Sequence, residues 1–172
     1  MNRWTISFFE SDNCYVITGL SCLCFLGAVA AQVTQDEEHC VINFRSDDIL
    51  NVRSKPRSGS LVVVKLRHNE CGLIVTGECE GDWCPVDAKP NTGWVHSHYI
   101  SMVSPSLYCV AGVAPGDKLN LRAWPSPQSK VVKRLQPQQC DISFLPYATN
   151  GWQKIRVQGA QGWVNRSFLS GQ

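Results

Sequence analysis

The sequence predicts an all-β chain: two small β-barrels or sandwiches in tandem behind an N-terminal signal segment. Three observations carry this. Residues 36–103, shifted by 69, fall on 105–172 without a gap, and 17 of the 68 paired positions are identical. The apolar runs of both copies are short, β-branched and bounded by turn formers, and none holds a 3.6-residue period. Of the six cysteines beyond the leader, the repeat superimposes four, Cys40 and Cys71 on Cys109 and Cys140. A fixed period of this size marks a tandem of one folding unit. It also gives an internal comparison. What both copies keep is expected to serve the fold, and what one copy alone has is a candidate for function.

Residues 14–31 (CYVITGLSCLCFLGAVAA) form an apolar run that ends in Ala28-Val29-Ala30, a small-x-small cleavage pattern. The run is marginal against the roughly 20 residues of a membrane span. Arg3 is the one basic side chain before it, opposed by Glu10 and Asp12. Residues 1–31 therefore read as a signal peptide, either cleaved or kept as an N-terminal anchor, and membrane contact is expected only through that segment if it is uncleaved. Gly19 stands where a lipoprotein signal would carry a large aliphatic residue before Cys22, which argues against a lipid anchor.

After a linker at 32–38, the first domain is expected at 39–103. Its apolar runs are 40–44, 49–53, 61–66, 72–77, 83–86 and 93–95. A second linker at 104–107 leads to a domain at 108–172, with runs at 109–113, 118–122, 131–135, 140–145, 152–157 and 162–164. Ser58-Gly59, Gly81-Asp82 and Pro90-Asn91 punctuate the first copy; Pro127-Gln128, Asn150-Gly151 and Gly159 punctuate the second. Five or six strands in so short a unit suit a small barrel or sandwich. The segments HSHYI and NRSFL that follow GWV each fit a single 3₁₀ turn leading to a last strand.

Three of the nine cysteines, Cys14, Cys22 and Cys24, lie in the leader. The other six allow fifteen pairings. The second copy has only Cys109 and Cys140, the first has Cys40 and Cys71 at the same positions, and Cys79 and Cys84 are extra. The simplest pairing is Cys40–Cys71, Cys79–Cys84 and Cys109–Cys140. A bridge closing a loop of about 30 residues contributes roughly 3–4 kcal/mol in the chain-entropy model, a large share for so small a core. An even cysteine count of this kind fits an exported protein, periplasmic or secreted.

LNVR at 50–53 and LNLR at 119–122 are each followed three residues on by a proline, then a VV-x-x-L strand, a lone tryptophan (Trp83, Trp152), GWV and an aromatic-aliphatic pair. In this order the motifs resemble the bacterial SH3-like domain family of exported and cell-envelope proteins. The resemblance spans both repeats. It implies that each repeat is a five-stranded, partly open SH3-like barrel. It further implies a binding module without catalytic role or cofactor, whose partner is cell-wall peptidoglycan, through peptide or glycan, or an envelope protein. Many members place a glycine before the proline of the R-x-G-P stretch, where this chain has Lys55 and Trp124.

By the same resemblance Trp83 and Trp152 line the ligand groove, with Tyr99 and Phe168 across from them. Stiff aromatic faces stack on sugar or proline rings. Core packing is the competing reading for Trp83 and Trp152, and the favoured one for Trp94 and Trp163. Trp124, in a loop and opposite Lys55 in the repeat, is expected either to touch ligand or to pack against the neighbouring barrel. The remaining runner-up is an adaptor whose two barrels pack into one composite surface.

Charge divides unevenly: residues 36–103 hold 7 basic and 10 acidic side chains, residues 104–172 hold 8 and 2. The basic half can engage anionic glycans, lipid headgroups or acidic proteins, or dock on the acidic half. No basic run with interleaved aromatics points to nucleic acid. His96 and His98, expected on one strand face, together with Cys79 and Cys84 sketch a metal site, but Cys-x4-Cys suits zinc less well than Cys-x2-Cys and an exported chain favours the disulfide. No hydrolase or phosphate-loop motif occurs, and the pairing above leaves no free cysteine for a Cys–His nucleophile. An enzyme is not expected.

Overall fold

The computed structural model describes residues 33–171, apart from 43, 44 and 46. The signal segment and its three cysteines lie outside the described residues. Among the described residues there is no α-helix.

The first copy forms β1 (Glu38–Val41), β2 (Ile49–Arg53), β3 (Val62–Arg67), β4 (Cys71–Val75), β5 (Trp83–Ala88), β6 (Asn91–His96), a 3₁₀ turn at Ser97–Tyr99 and β7 (Ile100–Met102). The second forms β8 (Tyr108–Val110), β9 (Leu119–Arg122), β10 (Val131–Leu135), β11 (Ile142–Thr149), β12 (Trp152–Val157), β13 (Ala160–Asn165), a 3₁₀ turn at Arg166–Phe168 and β14 (Leu169–Gly171). Each copy is thus one antiparallel seven-stranded sheet, in the orders β3-β2-β6-β5-β4-β1-β7 and β10-β9-β13-β12-β11-β8-β14. Seven strands replace the five or six expected. The reason is that the segment before each 3₁₀ turn and the segment after it both pair, β7 and β14 closing back on β1 and β8.

Alternation of buried and half-exposed residues turns one face of each sheet onto a core. The first core gathers Val41, Val52, Leu73, Val86, Val95 and Ile100; the second gathers Val110, Leu121, Leu135, Ile142, Ile155 and Val164. Cys40 and Cys71 are direct cross-strand partners on β1 and β4. The bridges are Cys40–Cys71, Cys79–Cys84 and Cys109–Cys140. The β12–β13 hairpin turns through Gln158 and Gly159, both at positive φ, as a type I′ turn requires.

Three of the residues that the copies share hold local structure by hydrogen bonds. Arg53 and Arg122 donate from Nη1 to the carbonyls of Ser60 and Ser129, at 2.8 and 2.7 Å, closing the loops after β2 and β9. Ser60 Oγ donates to carbonyls of that loop, and Ser129 Oγ accepts from the Trp124 amide. Asp48 and Asp117 each cap the amide of the next residue.

The two barrels share a buried cluster: Cys40 and Val103 of the first meet Leu145 and Tyr147 of the second, with Ile42, Cys71 and Trp163 packed around them. Trp163 therefore packs, as expected of it, but between barrels. Tyr147 donates its hydroxyl to the Val41 carbonyl at 2.7 Å, and His68 meets its ring edge-on. Arg156 forks onto both carboxylate oxygens of Glu38 at 2.6 and 2.8 Å. Ser104 ties the linker to β11, donating its amide to the Phe144 carbonyl and accepting the Phe144 amide on Oγ. The hook is β11, which runs to Thr149 rather than ending at 145 as its apolar run suggests, with a bulge between Phe144 and Ala148. The repeat counterparts of Tyr147 and Arg156 are Glu78 and Asp87, so the first barrel carries no such hook.

Candidate functional site

Each barrel has an open groove bounded by the start of its second strand, the loop that follows, the first residue of its fifth strand and the 3₁₀ turn. The first groove, of about 350 Å³, is lined by Asp48, Ile49, Asn51, Arg53, Trp83, His96 and Tyr99 among others. The second, of about 620 Å³, has Asp117, Lys118, Asn120, Arg122, Trp152, Asn165 and Phe168 at the same repeat positions. Leu50 and Leu119 sit under the floors, and Ser58 and Pro127 close the rims.

These residues come together for local reasons. Alternation along β2 buries Leu50 and Val52 and leaves Asn51 and Arg53 on the groove side. The same pattern, Leu119 and Leu121 in, Asn120 and Arg122 out, runs along β9. The guanidinium bonds already described hold each arginine stem as a fixed wall. Trp83 and Trp152 are half-buried at the first positions of β5 and β12, where they line the grooves. The 3₁₀ turn then brings the opposite wall. It is capped by His96, whose Nδ1 accepts the His98 amide, or by Asn165, whose Oδ1 accepts the Ser167 amide at 3.0 Å.

In the first groove the rings form a continuous aromatic wall. Trp83 meets His96 edge-on at 5.5 Å between centroids, and His96 lies 5.6 Å from Tyr99. His96 Nε2 stands 4.0 Å from Asp82. In the second, Asn165 and Phe168 take the places of His96 and Tyr99, so the wall keeps its aromatic ends and loses its imidazole and its hydroxyl.

Four of the five aromatics singled out from the sequence, Trp83, Tyr99, Trp152 and Phe168, line the grooves. Trp124 does not. It is 71% exposed, and neither lines a groove nor packs on the other barrel. The loop after β9 folds on itself, with the Trp124 amide on Ser129 Oγ and the Trp124 carbonyl on the Ser126 amide, and it is Pro127 that reaches the groove. Trp94 is half-buried on β6. His98 lies in the 3₁₀ turn, not beside His96 on a strand face, and Cys79 and Cys84 are joined to each other.

Asp48, Asn51, Arg53 and His96, with the second-copy residues at their positions, were not anticipated as lining residues. The signal was present: Asp, Asn and Arg recur in both copies at polar positions facing away from the core. It was hidden by the expectation that shared residues serve the fold.

Comparison with known proteins follows the same division. A sequence model described as bacterial SH3 domain matches residues 46–101 and 116–171, more than half of the chain. A Bacillus subtilis (strain 168) protein, "Putative N-acetylmuramoyl-L-alanine amidase YrvJ", is 24% identical over 136 residues, covering 72% of this chain and 26% of that protein. The chain therefore spans about a quarter of that relative's length. Among solved structures, NlpC2 of Trichomonas vaginalis superposes with a TM-score of 0.38 at 10% identity, covering 82% of this chain and 50% of that one. NlpC1 of the same organism gives 0.37 at 12% identity, covering 83% and 49%. The matched segments hold all of the first groove's lining and nine of the twelve lining residues of the second, and the chain belongs to the bacterial SH3 domain family, which it carries as a tandem pair.

Proposed function

We propose that the chain is an exported, non-catalytic binding module that recognises cell-wall peptide or glycan through its two aromatic grooves, in the periplasm or outside the cell. One observation carries this reading: the tandem presents the same cleft twice, Trp83 with Tyr99 and Trp152 with Phe168, each beside an asparagine and an arginine. Flat aromatic walls take sugar faces and apolar side chains, and the few polar groups beside them orient what binds. The Bacillus subtilis relative is named as an amidase of N-acetylmuramoyl-L-alanine, which ties that protein to muramyl peptide and suggests the same ligand chemistry here. Three disulfides suit a compartment outside the reducing cytosol. They also leave no free thiol among the described cysteines for a Cys–His nucleophile.

A second reading, an adaptor that presents one composite surface to an envelope protein, draws on the buried cluster and the Glu38–Arg156 pair that join the barrels.

Sedimentation with purified peptidoglycan sacculi at low and high salt tests the first reading. Salt-resistant pelleting that is lost when Trp83 and Trp152 become alanine is the expected result. Pelleting that vanishes with salt assigns the effect to the charge of residues 104–172 alone. No pelleting at either salt sinks the wall reading and moves the adaptor forward.

A further inference from the structure

We propose that the two grooves divide ligands by charge. The second takes a peptide that carries a free carboxylate beside an apolar side chain, with Lys118 facing the carboxylate, and the first takes a ligand without that charge. This rests on the grooves being the binding sites, as above, and adds what each selects.

The two clefts share a frame; at the positions that line both they differ four times, and Gly112, Val113 and Ala114 also line the second. Aspartate, leucine, asparagine, arginine and tryptophan are identical at lining positions. Ile49, Ser58, His96 and Tyr99 of the first become Lys118, Pro127, Asn165 and Phe168 of the second. Two of these changes remove a hydroxyl, one exchanges an imidazole for an amide, and one installs a cation. The second groove is thus both more apolar on its walls and more positive at its rim.

Lys118 is available for that task. It is exposed, just before β9, and among the described residues it makes no ion pair, although Asp117 is its neighbour. The Asp117 carboxylate instead accepts the Lys118 backbone amide at 2.7 Å, as Asp48 does for Ile49 in the first copy. Arg122 is held to the Ser129 carbonyl and serves as wall. The wider field agrees. The second half of the chain has Asp117 and Asp141 as its only acidic side chains against 8 basic ones, and Arg166 stands on its 3₁₀ turn where the first copy has Ser97. The first groove lies on the acidic half, with Asp82 at 4.0 Å from His96 and Ile49 where the second has Lys118; the lining aspartate is common to both clefts. A carboxylate is attracted to one cleft and repelled at the other. Trp152, Phe168, Val113 and Pro127 favour a peptide over a polyphosphate, because a polymer without apolar groups leaves those walls wet.

The test follows the indole N–H resonances of Trp83 and Trp152 in the ¹⁵N-labelled oxidised protein. The probes are a synthetic N-acetylated stem peptide ending in D-Ala-D-Ala, as free acid and as C-terminal amide, N-acetyl-Val-Leu in the same two forms, and a poly(glycerol phosphate). The free acids are expected to shift Trp152 with a Kd roughly fivefold below that of the amides, in line with a partly exposed charge contact. Lys118→Ile should abolish that preference, and Ile49→Lys should bring it to Trp83. Equal binding of acid and amide at Trp152, or a preference that survives Lys118→Ile, overturns the proposal. So does Lys118-dependent binding of the phosphate polymer without binding of the peptide acids. A stem peptide bound without acid preference leaves the wall reading standing and removes this inference. An acid preference shown by N-acetyl-Val-Leu alone does the reverse. No shift with any probe sinks both.

Discussion

Tyr147 of the second barrel reaches across the domain boundary and donates its hydroxyl to the backbone carbonyl of Val41 in the first, at 2.7 Å. The carbonyl already accepts the Asn69 amide at 3.2 Å, so the phenol fills its second lone pair. The ring itself is only 8% exposed and is packed in the shared cluster. Tyr147→Phe removes a hydrogen bond without orphaning its acceptor and should cost about 0.5–1.5 kcal/mol. Tyr147→Ala empties the cluster and should cost about 3–5 kcal/mol. Calorimetry should show one transition for the native tandem and two for Tyr147→Ala. A single unshifted transition in the alanine variant would mean that the barrels are not coupled through this residue.

Glu38 and Arg156 join the same two barrels from side chains that are each about a quarter exposed, at 27% and 28%. The forked hydrogen bond from Arg156 holds the Glu38 carboxyl below its ordinary value of 4.5, and partial burial opposes this without reversing it. A depressed folded-state pKa means that the unfolded chain binds the proton first on acidification. The stabilisation is therefore present above about pH 4.5 and is lost as pH falls through the lower folded value. Glu38→Gln should cost about 1–2 kcal/mol near neutral pH, between the exposed and the buried limits for such pairs. The gap between native and variant should narrow as pH falls below 4.5 and through the lower folded value. Urea titrations at several pH values check this, and a gap that stays constant with pH would refute it.

Cys84 and Gln153 stand at the same repeat position and secure the same loop by different means. In the first barrel Cys84 is bonded to Cys79. In the second, the Gln153 amide donates to the Leu145 and Tyr147 carbonyls at 2.7 and 3.1 Å, holding the extension of β11 that carries the hook. Ala148, the counterpart of Cys79, is the cross-strand partner of Gln153. Alanine at both Cys79 and Cys84 should cost about 2 kcal/mol, less than loss of either long bridge, because the loop is short. Gln153→Ala should cost about 1–3 kcal/mol by leaving buried carbonyls unpaired. The paired change Ala148→Cys with Gln153→Cys should close a fourth bridge, seen as loss of two hydrogens by mass and of both free thiols by alkylation.

The strands and their punctuation were legible because a half-buried antiparallel strand writes its own alternation. LNVR, LNLR and the two GWV runs all sit where the pattern puts them, and the two 3₁₀ turns follow. The position of β11 was not legible to its end. Pro146-Tyr147-Ala148-Thr149 has no apolar alternation of its own and becomes a strand only because Gln153 and the first barrel hold it. The grooves were half legible. Bulky aromatics announce themselves, whereas Asp48, Asn51 and Arg53 each combine a bond that shapes the fold or a plain polar strand position with a place in the cleft wall. The place of Trp124 outside the groove lining was not legible because exposure in a loop says nothing about which way the loop turns; its own backbone bonds to Ser126 and Ser129 decide that.

Gly93 and Gly162, identical in the repeat, should prove sensitive for a reason that lies in the spacing of two strands. A Cβ on Gly93 would sit 2.7 Å from the Arg53 carbonyl oxygen and 2.8 Å from a Val52 methyl; one on Gly162 would sit 2.7 Å from the Arg122 carbonyl oxygen and 2.9 Å from Leu121 Cγ. Neither obstacle is the free end of a flexible chain. The carbonyls belong to the strands that carry the groove arginines, and Arg53 and Arg122 are the register partners of Trp94 and Trp163. Alanine at either position therefore has to push β2 from β6, or β9 from β13, at a cost of about 1–3 kcal/mol. For a tandem that unfolds as one unit this corresponds to roughly 3–4 °C of melting temperature per kcal/mol. The displaced strand is also a groove wall, so each variant should weaken ligand binding in its own barrel and spare the other. Gly59, whose Cβ would meet nothing within 4 Å, supplies the control. A Gly59→Ala protein as unstable as Gly93→Ala would show that backbone entropy, and not the approach of the two strands, sets the requirement for glycine.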